Sequence, residues 1–69
     1  MITVILNGKK EELAGGLSIA EVLKKKNLRP EVVTVEYNDR ILTREEFPKI
    51  IIENNDRIEL VFFMGGGKI

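Results

Sequence analysis

Cysteine, histidine and tryptophan are all absent from these 69 residues. Without cysteine there is no disulfide framework, no zinc finger and no thiol nucleophile. Without histidine the commonest general base and metal ligand is missing. Aromatic residues make up only 6% of the chain, so aliphatic side chains must build the core. Eleven basic residues balance eleven acidic ones, and no global field draws the chain onto nucleic acid. No apolar run is long enough to span a bilayer, and the N-terminus lacks a signal-peptide pattern. The expectation is one small cytoplasmic domain with neither a membrane nor a nucleic-acid partner.

What is present reads as short strands around one helix. Ile2 to Leu6 is apolar and β-branched, and Asn7-Gly8 is a hairpin signal leading to a more polar return strand, Lys9 to Leu13. Ser18 and Glu21 form an S-x-x-E capping box, with Leu17 placed to staple onto Val22. Ile19, Val22 and Leu23 then fall on one helical face. Lys24-Lys25-Lys26 closes that helix, where positive charge complements the dipole, and reads as solvated charge rather than a binding patch. Beyond Pro30, Val32 to Tyr37 reads as a third strand, with Asn38-Asp39 turning into Arg40 to Leu42. Thr43 and Glu46 cap a single helical turn ending before Pro48. Ile50 to Ile52 reads as an edge strand or a buried extended segment, and Arg57 to Phe63 as the last strand. The fold class is α+β. Its order is β-β-α-β-β with a short helical turn before the last strand, and its mixed sheet has four to five strands.

Strand parity assigns faces. Ile58, Leu60 and Phe62 are expected in the core, as are Ile2, Val4 and Leu6. Ile5, Val61 and Phe63 fall on the outer face and would form an exposed apolar patch if their strands are neighbours. Such a patch marks a partner surface. An equally bland alternative is isolated surface apolars.

Enzymatic constellations are nearly absent. In Glu11-Glu12 and Glu45-Glu46 adjacent side chains point apart, so neither pair can share a catalytic proton. Asn54-Asn55-Asp56 lacks the ligand spacing of a calcium loop. Gly65-Gly66-Gly67 precedes no helix and is not a phosphate loop. No catalytic residue and no metal site emerges. The unusual feature is the C-terminal run Phe63-Met64-Gly65-Gly66-Gly67. Glycine adds nothing to a core, but it makes a thin thread able to enter a narrow site. Residues 1–64 are expected to form the domain and 65–69 a flexible tail.

With a β-grasp order, Leu6-Asn7-Gly8, Val35-Glu36-x-Asn38 and Val61-x-Phe63-x-Gly65-Gly66-Gly67, the whole chain resembles the ThiS family, the ubiquitin-like sulfur carriers of thiamin biosynthesis. That resemblance implies a carrier rather than an enzyme. A ThiF-like partner would adenylate the carboxylate of Gly67 with ATP and magnesium, no cofactor being held by the carrier itself. A sulfur donor, a cysteine desulfurase or similar, would supply the thiocarboxylate, and a ThiG-like thiazole synthase would consume it. Gly65, Gly66 and Gly67 would be the thread; Ile5, Val61, Phe63 and Met64 are the docking candidates. Lys68-Ile69 departs from the pattern, because an amide bond occupies the position of the reactive carboxylate. Either processing removes these two residues or this copy is inactive; processing is the expectation. Alternatives are a MoaD-like carrier for molybdopterin, a non-catalytic interaction module, and a modifier joined to target lysines.

Overall fold

The computed structural model describes residues 1–62. Expectations for Phe63, Met64 and residues 65–69, including the domain boundary at residue 64, lie outside the described residues. The elements are β1 (Ile2–Leu6), β2 (Lys9–Leu13), α1 (Ile19–Lys25), β3 (Val33–Tyr37), β4 (Arg40–Ile41) and β5 (Arg57–Phe62). Short 3-10 turns occupy Pro30–Val32 and Arg44–Glu46. The five strands form one mixed sheet in the order β2-β1-β5-β3-β4. β5 lies in its centre, parallel to β1 and antiparallel to β3. This is the β-grasp expected, although the order reads β-β-α-β-β-β.

Local chemistry explains each element. Asn7 (φ 51°) and Gly8 (φ 83°) both take the left-handed region, which a two-residue hairpin turn matched to strand twist requires. Asn38 (φ 49°) and Asp39 (φ 70°) do the same between β3 and β4, without glycine. The Ser18 hydroxyl accepts the Glu21 amide at 3.1 Å, and the Glu21 carboxylate accepts the Ser18 amide at 2.8 Å. The helix ends on Asn27 (φ 60°). The Asn27 amide donates to the Lys24 carbonyl at 3.0 Å, and that of Leu28 to Leu23 at 2.9 Å. These two bonds are a Schellman stop, with asparagine in place of the usual glycine. At the second box the Glu46 carboxylate accepts the Thr43 amide at 2.9 Å.

One face of the sheet and one face of α1 enclose the core. Ile19, Val22 and Leu23 from the helix meet Val4, Val35 and Ile58 from the three central strands, all at most 1% exposed. Phe47, Leu42 and Ile52 close the side. Burying side chains of this kind contributes about 1.5–3 kcal/mol each before entropy is counted.

Three boundaries differ from the sequence reading. Val32 belongs to the 3-10 turn, because Pro30 fixes the φ that such a turn needs. Leu42 lies just past β4 but still donates its amide to Val35 at 3.0 Å. Ile50–Ile52 joins no strand of the sheet. It runs against the start of α1, with Ile19 donating to Ile50 and Ile52 donating to Leu17, both at 2.9 Å. The core assignment of Phe62 is also corrected: it is 39% exposed. The cause is register. Leu6, the last residue of β1, pairs with Ile58, so β5 runs on for four residues with only β3 beside it. No described helix is long and apolar enough to cross a membrane.

Candidate functional site

The site is the root of the C-terminal thread, the outgoing half of β5. Backbone groups of Ile58 and Leu60 face β1, and those of Arg57, Glu59 and Val61 face β3, since strands alternate with a period of two. On the β3 flank the register is continuous, from Tyr37 opposite Ile58 to Val33 opposite Phe62. On the β1 flank, Ile5 donates to the Asp56 carbonyl at 2.8 Å and Asn7 donates to the Ile58 carbonyl at 2.9 Å. There β1 turns away. The next amide on this flank, Leu60, donates instead to the carboxamide oxygen of Asn7 at 2.7 Å.

The start of β5 is anchored differently. Asp56 is only 7% exposed. Its Oδ2 accepts the Tyr37 hydroxyl and the Glu53 amide, both at 2.6 Å, and its Oδ1 accepts the Asn38 carboxamide at 3.1 Å. Burying a carboxylate is tolerable only with such donors around it. Asn38 in turn accepts the Arg57 amide at 2.8 Å. Burial, then the hydrogen bond to Asp56 and its negative charge, push the Tyr37 phenol from 10.0 up to about 12. On the sequence Asp56 read as an ordinary turn residue. The structure makes it the hub that joins the ends of β3 and the 53–56 turn to β5. What could have flagged it is the coincidence of Tyr37-Asn38 and Asp56, each at a strand end, but only the topology brings them together.

Of the docking candidates, Val61 is 53% exposed on the outer face, opposite Thr34 of β3. Ile5 is half-buried and stands opposite Arg57, four positions before Val61. At a strand rise near 3.3 Å that is a separation of about 13 Å, so Ile5 and Val61 do not form one patch. The strands are neighbours, but β1 ends too early. Phe63, Met64, Gly65, Gly66 and Gly67 lie outside the described residues. An open groove lined by Val33, Ile41, Leu42, Arg44 and Phe47 sits on the β4 flank of β3, away from β5. Among the described residues, no group of three or more acidic side chains is placed to hold a metal ion.

Comparison with known proteins bears on what this root carries. The solved crystal structure of a thiamine biosynthesis protein (ThiS) from Geobacter metallireducens superposes with a TM-score of 0.83 at 35% identity, covering 96% of this chain and 100% of that one. The chain is also 31% identical over 65 residues to the uncharacterized protein ycf40 of Trieres chinensis, covering 94% of this chain and 89% of that protein. Over 63 residues it is 32% identical to a thiazole synthase of Magnetococcus marinus, covering 91% of this chain but 19% of the synthase. The model of the ThiS family matches residues 4–67, nearly the whole chain and every glycine of the thread. By its fold, its sequence and the reach of that match, the chain belongs to the ThiS family.

Proposed function

We propose that this protein is a sulfur carrier of thiamin biosynthesis whose reactive group is the carboxylate of Gly67. The observation that carries the reading is where the family match stops. It runs through Gly67 and leaves only Lys68-Ile69 outside. Removal of those two residues frees the glycine carboxylate. An adenylating partner of the ThiF kind then uses ATP and magnesium; a carboxylate oxygen attacks the α-phosphorus, and pyrophosphate leaves. A reduced sulfur nucleophile from a desulfurase-type donor displaces AMP, breaking the acyl–phosphate bond and leaving a thiocarboxylate. A thiazole synthase takes that sulfur. The match to synthases, of which this chain spans about a fifth, supports such a partnership.

In this reading the chain is a substrate and carrier rather than an enzyme, and it acts in the cytoplasm. Val61, with Phe63 and Met64, forms the docking surface at the root of the thread. Ile5, some way back along the sheet, contributes only where a partner covers the sheet's length.

Intact-mass analysis of the protein from its native cells tests the proposal. The expected species has lost Lys68-Ile69 and carries sulfur in place of one terminal oxygen. Finding only the full-length carboxylate while the pathway is active would overturn it. ATP–pyrophosphate exchange by the adenylating enzyme is expected with the chain ending at Gly67 and absent with the chain ending at Ile69. Equal exchange with both would sink the trimming step.

A further inference from the structure

Asn7 occupies a place where a strand should continue and does not. Its own amide makes the last main-chain bond from the β1 side to β5, and its side-chain oxygen makes the next one, to Leu60. The carboxamide thus stands in for the backbone carbonyl of a missing strand residue. It can do so because the left-handed φ of 51° turns the main chain away into the hairpin while the side chain stays beside β5. After Leu60 the next amide facing this flank is that of Phe62, two positions on, beyond the reach of the hairpin. Leu60 is therefore the last point at which β5 is held from both sides before the glycine thread.

We propose that Asn7 is a positioning residue for the C-terminal thread. By tying Leu60 it fixes the direction in which β5 leaves the sheet, and so the direction in which the thread is offered to an adenylating enzyme. The inference rests on the proposed carrier function and adds a residue to it. A thread whose root is already fixed leaves less ordering for the enzyme to impose on binding, which lowers the cost of association. The role belongs to the side chain and not to the turn. Glycine at the same position keeps the left-handed backbone at no steric cost and removes only the acceptor.

The experiment compares Asn7→Gly, Asn7→Asp and Ser18→Ala with the unchanged protein. Ser18→Ala removes a helix cap far from β5 and serves as the control for general loss of stability. Amide hydrogen exchange and thermal unfolding are measured on the full chain, and adenylation kinetics on the form ending at Gly67. In Asn7→Gly the Leu60 amide is expected to exchange about tenfold faster while Val35 in the core is unchanged, because only the local tie is lost. KM for the carrier is expected to rise about tenfold with kcat within about twofold, the pattern of lost pre-organisation before binding. Asn7→Asp keeps an acceptor and is expected to restore both. Three results overturn the positioning role. One is unchanged Leu60 exchange in Asn7→Gly; another is an unchanged KM despite faster exchange; the third is an equal KM rise in Ser18→Ala. If the unchanged chain ending at Gly67 is not adenylated at all, the carrier reading falls and this inference falls with it.

Discussion

Glu36 of β3 and Glu59 of β5 stand directly opposite one another on the outer face of the sheet. Both are half-buried, and among the described residues neither enters an ion pair. Like charges in directly opposed positions destabilise a sheet by a few tenths of a kcal/mol to about 1 kcal/mol. Glu59→Lys is therefore expected to raise the unfolding free energy by about 0.5 kcal/mol, and by less as salt screens the pair. Urea unfolding at low and high ionic strength measures both. A variant no more stable at low salt would mean that the two carboxylates already point apart.

The buried Asp56 predicts a large effect from a small change. Asp56→Ala leaves the Tyr37 hydroxyl, the Asn38 carboxamide and the Glu53 amide without their acceptor. The expected cost is about 2–4 kcal/mol, and in a domain this size that lowers the melting temperature by at least about 10 °C. Asp56→Asn, which keeps the shape and one acceptor oxygen, is expected to cost less. Differential scanning calorimetry of both variants provides the comparison.

The same network makes stability depend on alkaline pH. The Tyr37 phenol is raised from 10.0 to about 12 in the folded protein. A group whose folded value is raised binds its proton more tightly in the native state, so its contribution is complete below pH 10 and is lost between pH 10 and about 12. At the acid end Glu46 behaves oppositely. The Thr43 backbone amide, and then Arg40, hold its carboxyl below the usual 4.5, so its support is lost as the pH falls below that value. Thermal unfolding followed against pH is expected to show both shoulders. Tyr37→Phe removes the alkaline one and leaves the acid one in place.

Val61 and Ile5 are both docking candidates, but they occupy different parts of the sheet. Val61 is 53% exposed, so Val61→Lys changes stability by no more than about 0.5 kcal/mol. In adenylation assays Val61→Lys is expected to raise KM about tenfold by placing a charge in an apolar contact, while Ile5→Lys raises it less than about twofold. Equal effects would place the partner along the length of the sheet.

Much of the fold can be read from particular residues. Ser18 and Glu21 mark the helix start, Asn7-Gly8 the first hairpin, and the parity of Ile58 and Leu60 the buried face, because these signals are local and each has a short-range cause. Two misreadings share a different origin. Phe62 has the parity of a core residue, and Ile5 has that of a surface neighbour to Val61. Both are placed by the register between β1 and β5, strands 50 residues apart in sequence, and by β1 stopping at Leu6. Asp56 was illegible for the same reason, since its partners come from another strand end. The glycine thread was legible because its composition is at odds with folding.

The parallel pairing of β1 and β5 has a practical outcome for how this protein is handled. The chain enters the sheet at Ile2 and the described part leaves it at Phe62, with Ile5 level with Arg57. Eight strand positions separate entry from exit, a span of about 26 Å at 3.3 Å per residue, measured along a single direction. Anything attached before Met1, whether an affinity tag, a solid support or a fused enzyme, sits at the opposite pole from the glycines and leaves them free to reach a deep cleft. Immobilisation through the N-terminus is thus the orientation in which partners that seek the other end can be captured.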